Sequence, residues 1–215
     1  MTHLDPSSTG LARRDFLKVS ATAAAGMSLG FFWPTHGNAA ETPKLNAWIE
    51  IQADDTVIIR YARTEMGQGS RTSAPMLVAD ELEADWKKVR IEYATAHENL
   101  RTKRAYGDMA TVGSRTIRNS QEYLRKAGAT AREMLIAAAA AQWGVPASEC
   151  TAALGKVYHA ASKRSLSYGK LAAAAAKLEA PKEVKLKDPK DWKIIGKSLP
   201  RVDIPDIVTG KIRYG

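Results

Sequence analysis

The segment Glu65-Met66-Gly67-Gln68-Gly69-Ser70-Arg71 is the spacing in this chain best suited to chemistry. Two glycines flank one primary amide, so no Cβ keeps a ligand from the backbone N–H groups. Gln68 brings both a donor and an acceptor to a ligand edge. The run opens a helix-like stretch, and free N–H groups at a helix start favour an anion such as phosphate. A Gly-X-Gly run on its own signals only a turn. Glu65 has two readings, a catalytic carboxylate or a backbone acceptor, and its glycine neighbours favour the second. A second loop of interest is Thr111-Val112-Gly113-Ser114-Arg115-Thr116.

Around these loops the hydropathy pattern sets out the elements. Leu45, Ala47, Ile49 and Ile51 alternate with polar residues, which predicts one half-buried strand over Leu45 to Ile51. Asp54-Asp55 turns the chain, and Thr56 to Tyr61 returns as the partner of a hairpin. Thr72 or Ser73 is expected to cap a helix reaching about Ala84, with Pro75 in its first turn. Val89 to Ala94 reads as a third strand. Residues 95–116 carry no period. Leu124, Ala127, Ala131, Leu135 and Ala138 recur at spacings of three and four, predicting a helix over about Asn119 to Trp143 with a narrow, close-packing stripe. Gly144 and Pro146 end it. Short strands near Thr151 to Leu154 and Lys156 to His159 precede a helix over about Tyr168 to Leu178. From Pro181 onward the period fades, and an extended connector is expected. The class is α+β.

Composition narrows the chemistry. Apolar residues at 45% and charged residues at 26% suit a folded domain rather than a disordered chain. The net charge of +9 is scattered and without a stripe of stacking aromatics, which argues against a nucleic-acid partner. Cys150 is the one cysteine, too few to hold an iron–sulfur cluster. His97 and His159 lie far apart, without metal-ligand spacing. Met66 and Met76 read as core fillers, Trp86 and Trp143 as packing anchors, Cys150 as an inert buried thiol and His159 as a strand residue.

Residues 1–40 read as an export signal. Arg13-Arg14-Asp15-Phe16-Leu17-Lys18 has the twin-arginine pattern, with Ala12 where Ser or Thr is usual. The Ala- and Gly-rich stretch from Val19 to Trp33 is too short and too weakly apolar for a stable transmembrane anchor. Small residues around Gly37 to Ala40 place cleavage near Ala39 or Ala40. The expected location is the periplasm.

In sequence, strand, Gly-Gln-Gly loop, helix, strand, Gly-Ser-Arg loop and long helix resemble the molybdenum hydroxylases of the xanthine dehydrogenase and aldehyde oxidase family. The likeness is to the first part of the large (beta) subunit of the isoquinoline 1-oxidoreductase type. It runs through Pro75-Met76-Leu77-Val78-Ala79-Asp80-Glu81-Leu82, Val89-Arg90-Ile91-Glu92, Leu124-Arg125-Lys126-Ala127-Gly128-Ala129 and Trp143-Gly144-Val145, and covers nearly all of the chain after the leader. It implies part of a molybdopterin-binding domain over residues 41–180, with a mixed sheet and a long packed helix, and a connector over 181–215 into a following domain. It implies molybdenum–molybdopterin cytosine dinucleotide as cofactor. Gly67, Gln68 and Gly69 would then approach the pterin, while Gly113, Ser114 and Arg115 hold phosphates, where a hydroxyl and a forked guanidinium are suitable donors. Arg115 either does this or pairs with a carboxylate. Two positions depart from the family pattern: Val112 stands where a glycine is common, and Ala62-Arg63 replaces glycines.

The same likeness implies hydroxylation of an N-heterocycle or aldehyde. Electrons would leave through a small iron–sulfur subunit, with a cytochrome c as a further acceptor. The family's catalytic glutamate belongs to a Gly-Glu-Pro-type segment that this sequence lacks, so no catalytic residue is expected here, and the rest of the large subunit is the expected partner. The chain is then a fragment, a split-gene product or a truncated remnant. The alternative is an exported scaffold module without catalysis.

Overall fold

Asn46 decides how the first strand ends. Its side-chain oxygen accepts the Trp48 N–H at 2.9 Å, and its amide nitrogen donates to the Ala127 carbonyl at 3.1 Å. The resulting turn splits the expected single strand into β1 (Lys44–Asn46) and β2 (Ile49–Ile51), paired antiparallel. An Asn that hydrogen-bonds the backbone two residues on can override an alternating pattern. A computed structural model describes residues 44–214, so Arg13, Arg14, Phe16 and Leu17, read as an export signal, and the expected cleavage position lie outside the described residues.

β2 turns at Asp54-Asp55 into β3 (Val57–Tyr61), the expected hairpin. β3 then crosses through α1 (Ser70–Leu82) to β4 (Val89–Tyr93), which lies parallel to it. A parallel neighbour requires such a crossover. The sheet is mixed, in the order β1-β2-β3-β4. Thr95 caps the short α2 (Ala96–Arg101) within the stretch expected to lack structure, accepting the Glu98 N–H at 3.0 Å. After α3 (Arg115–Arg118) comes α4 (Gln121–Trp143), closed by Gly144 in the left-handed conformation at φ 67°.

α4 crosses α1 at Gly128, where a Cβ would stand 2.4 Å from the Val78 carbonyl oxygen. The stripe residues Leu124, Ala131, Leu135 and Ala138 are buried there with Val78 and Leu82, against Ile49, Ile51, Val57 and Ile59 of the sheet. Beyond α4 a three-stranded antiparallel meander forms from β5 (Cys150–Ala153), β6 (Lys156–His159) and β7 (Arg164–Ser167). β7 goes beyond the expected elements, because Arg-Ser-Leu-Ser is short and polar. α5 (Tyr168–Ala175) docks through the buried Tyr168, whose hydroxyl donates to the Leu82 carbonyl at 2.6 Å.

The connector stretch is irregular apart from a helical turn at Pro189–Asp191 and α6 (Ile204–Val208), yet it is fastened to the body. Asp80, buried inside α1, accepts from Lys187 Nζ at 2.8 Å and from the N–H groups of Lys193, Ile194 and Ile195 at 3.0, 2.7 and 2.8 Å. Burial would raise this carboxyl. The bonds from Lys187 and from the Ile195 and Ile194 N–H groups outweigh it and hold the group below its ordinary 3.8. Its neighbour Glu81, also buried, accepts from Arg125 Nε at 2.8 Å and from the Lys187 N–H at 3.2 Å. These two carboxylates turn the stretch around residue 190 into a strap across α1.

Candidate functional site

α1 starts at Ser70, two residues before the first expected cap, because another residue caps it. Glu65 is buried and places its carboxylate under the loop. Oε1 accepts the N–H groups of Gly67 and Gly69 at 2.8 and 2.9 Å, and Oε2 accepts that of Arg71 at 2.8 Å. The donors expected to greet a ligand anion are therefore engaged by the chain's own carboxylate. Glu65 is the backbone acceptor of its two readings. Gly67 and Gly69 have φ of 104° and 81°, which only glycine adopts without strain, so the pair lets the backbone wrap Glu65.

Gln68 is exposed, but its amide is partly committed. Nε2 donates to the Thr64 carbonyl at 2.8 Å and to Ser70 Oγ at 2.7 Å, while Oε1 accepts the Met66 N–H at 2.6 Å. Both side-chain donors are in use, which leaves one acceptor lone pair for a ligand. Beneath it Tyr61 bonds Ser70 Oγ at 2.6 Å. Burial pushes the Tyr61 hydroxyl up to about 12, opposed by the Ser70 bond and helped by the Glu65 charge, so it stays neutral. Met66, expected in the core, is 60% exposed, because its loop position leaves nothing to cover it.

The second loop comes to the first through three contacts. Thr64 N–H donates to Thr111 Oγ1 at 2.8 Å, Arg63 Nη1 to the Ala110 carbonyl at 2.7 Å, and the same nitrogen to Asp108 Oδ1 at 2.8 Å. Asp108 then accepts Arg115 Nη1 on its other oxygen at 3.1 Å. The Ala110 N–H, then Arg63, hold the Asp108 carboxyl below its ordinary range. Arg63, one of the departures from the family pattern, thus fastens the two loops together. Val112, the other, is exposed and does not crowd the loop interior. Gly113 and Ser114 are both left-handed, at φ 55° and 59°.

Between the loops lies a cleft of about 380 Å³. Gln68, Ser70 and Ser73 line one side, and Gly113, Ser114, Arg115 and Thr116 the other, with Met66, Val112 and Ile117 adding apolar surface. Of the six residues singled out in the sequence, Gln68, Gly113, Ser114 and Arg115 meet here; Gly67 and Gly69 shape the loop behind the wall. Arg115 pairs with Asp108 and lines the cleft at once. A second void, between Trp48, Arg63 and Tyr123, has about 10 Å³ and holds no more than a water. Among the described residues, no cluster of three His, Cys, Asp or Glu is placed to hold a metal ion. Cys150 is buried, and burial, then the Glu149 charge, raises its thiol. His159 bridges Glu149 at 3.0 Å and Ser162 at 2.7 Å within its meander.

Residues 11–202 match the molybdopterin cofactor-binding domain. The chain belongs to that family. It is similar to the beta subunit of isoquinoline 1-oxidoreductase from Brevundimonas diminuta, 33% identical across 98% of this chain and 32% of that protein. It is also similar to a nicotinate dehydrogenase subunit of Pseudomonas putida, 33% identical over 80% of this chain and 14% of the other. A membrane-bound aldehyde dehydrogenase of Gluconacetobacter polyoxogenes, whose name specifies pyrroloquinoline quinone, is 31% identical over 95% of this chain and 27% of its own. The chain spans about a third of the first relative's length, and less of the others. Crystallographic quinoline 2-oxidoreductase from Pseudomonas putida 86 aligns over 64% of this chain and 17% of its own, at 16% identity and a TM-score of 0.45.

The cleft's donors suit the molybdopterin-binding family. Serine and threonine hydroxyls and a guanidinium give neutral and cationic donors, and the Gln68 oxygen one acceptor, without a carboxylate among the lining residues. A polyanion with a polar ring system fits that set. Glu65 already occupies the N–H groups at the start of α1, so the unengaged hydroxyls and the guanidinium on the second-loop side are the groups left to meet an anion. The roles of Asp80, Glu81, Arg63 and Asp108 escape a reading of the sequence; the adjacent pair Asp80-Glu81 in the apolar second half of α1, and Arg63 as a departure from the family pattern, are the visible signs of them.

Proposed function

We propose that this chain supplies two facing loops of the cofactor cleft in a periplasmic molybdenum–pterin oxidoreductase acting on an N-heterocycle or aldehyde. The observation that carries the reading is the meeting of Gln68 with Ser114 and Arg115 across one cleft, from loops more than forty residues apart. Bound there, the molybdenum–pterin group would supply a two-electron redox centre. Ser114 and Arg115 would hold its dinucleotide phosphates, the reading in which that dinucleotide carries cytosine. Gln68 would face the pterin, offering the free lone pair of its oxygen. Met66, Val112 and Ile117 would keep water from the pterin face.

The remainder of the large subunit would bring the catalytic glutamate, and a small subunit the iron–sulfur clusters that pass electrons on to a cytochrome c. Export by the twin-arginine route fits a cofactor inserted before translocation. Arg13→Lys with Arg14→Lys should hold the product in the cytoplasm; unhindered export of that variant would overturn the leader reading.

Purification from a host that makes the cofactor, followed by metal analysis and fluorescence of the oxidised pterin, tests the main claim. Stoichiometric molybdenum and pterin, reduced several-fold in Gln68→Ala and Ser114→Ala, is the expected result. A bound quinone without molybdenum, as the aldehyde dehydrogenase relative's name would suggest, would contradict it.

A further inference from the structure

We propose that Arg201 is a positioning residue for the Gly67-Gln68-Gly69 loop, so that the end of the strap sets the geometry of the cleft. The inference rests on the reading above that this cleft holds the cofactor. Its basis is a clamp with the loop in the middle. From beneath, Glu65 holds the loop's N–H groups. From outside, Arg201 Nη1 donates to the Gly67 carbonyl at 2.9 Å. Its Nη2 lies 3.6 Å from Glu65 Oε1, so the guanidinium also faces the carboxylate that organises the loop. A Cβ on Gly69 would touch the guanidinium at 3.8 Å, so the plane lies directly against that glycine.

The guanidinium is itself fixed. Nε and Nη2 fork onto the two carboxylate oxygens of Asp203 at 2.9 and 2.7 Å, and Asp203 is fully buried. Between them the Val202 N–H donates to Thr72 Oγ1 at 3.0 Å, tying the segment to the first turn of α1. With Nε and Nη2 set by the fork, the place of Nη1 is fixed, and there it meets the Gly67 carbonyl. Lysine could replace one of these bonds but not the planar arrangement. Arg201 is not among the residues lining the cleft and makes no hydrogen bond to the Gln68 side chain, so it acts through the loop backbone. A loop whose carbonyl and N–H groups are both held keeps Gln68 in one place; a loop held only from beneath can pivot about two glycines.

The test compares wild type, Arg201→Ala, Arg201→Lys and Gln68→Ala as the full chain produced in a cofactor-making host. Amide hydrogen exchange over residues 65–71 is measured on cofactor-free protein, and molybdenum retained after gel filtration on loaded protein. Exchange at the loop should rise about tenfold in Arg201→Ala, with less molybdenum retained, and Arg201→Lys should fall between it and wild type. Guanidinium ion at a sub-denaturing concentration should partly restore the alanine variant. Wild-type exchange at 65–71 in Arg201→Ala would overturn the proposal and leave Arg201 as an anchor of the strap alone, whatever the metal content. Should Arg201→Ala not fold, Arg201→Lys decides by the same exchange measurement. If wild type retains no molybdenum, the cofactor reading fails, while the exchange arm still decides whether Arg201 holds the loop.

Discussion

Glu65 Oε1 stands 2.9 Å from the backbone nitrogen of Gly69, and the same oxygen also accepts the Gly67 N–H. A carboxylate under a glycine loop does what an ordinary helix cap does, but across three N–H groups. Glu65→Ala would orphan all three and should destabilise the protein by about 2–3 kcal/mol, since hydrogen bonds to charged groups exceed neutral ones. Glu65→Gln, which keeps an acceptor oxygen, should cost less. Urea unfolding of the two variants measures the difference; equal midpoints for alanine and wild type would contradict the capping role.

Asp80 makes strap docking depend on acidity. Its pKa is depressed in the folded protein, so its contribution is fully present above 3.8, the ordinary value, and is lost as pH falls through the lower folded value. Hydrogen exchange at residues 187–195 should therefore be slow at neutral pH and rise only in acid below that value. Asp80→Asn should open the strap at neutral pH as well, costing about 3 kcal/mol for a buried ion pair left with one partner. A strap that stays protected in the variant would refute this.

Gly128 tests the helix crossing. An added methyl would stand 2.4 Å from the Val78 carbonyl oxygen, and backbone on both sides has to move. Gly128→Ala should lose about 1–3 kcal/mol despite alanine's better helix propensity. A thermal melt showing stabilisation would mean the two helices separate without cost.

Arg63 should matter to the second loop more than to the fold. Removing its guanidinium in Arg63→Ala cuts the bonds to Ala110 and Asp108, and frees the Asp108 side chain that steadies Arg115. Limited proteolysis between residues 108 and 118 should quicken, with less cofactor retained. Unchanged cleavage would show that Thr64 and Thr111 hold the loops together without it.

Much of this architecture can be read from local pattern. β3, β4, α1 and α4 announce themselves because their apolar spacing is strong and Gly144 with Pro146 marks an end. The two loops stand out because glycine beside a polar side chain is unusual between regular elements. What escapes such a reading depends on distant partners or on short polar segments. Asp80 looks misplaced in a buried helix until Lys187, more than a hundred residues later, is brought to it. Asn46 breaks a strand whose alternation is otherwise unbroken, and β7 has too little apolar surface to register. Met66 reads as a core residue by type, yet its place in a glycine loop leaves it in the open. The joining of the two loops rests on Arg63, Thr64 and Asp108; Arg63 shows in the sequence only as a departure from the family pattern, and the other two do not stand out.

A density map of the cofactor-loaded protein, complete with its other segments and subunits, is the most direct test of the cleft. The pterin dinucleotide should lie between the two loops, with phosphate oxygens within hydrogen-bond distance of Ser114 and Arg115 and the pterin beside Gln68. A cofactor seated elsewhere, with solvent filling the space between Gln68 and Ser114, would contradict the account.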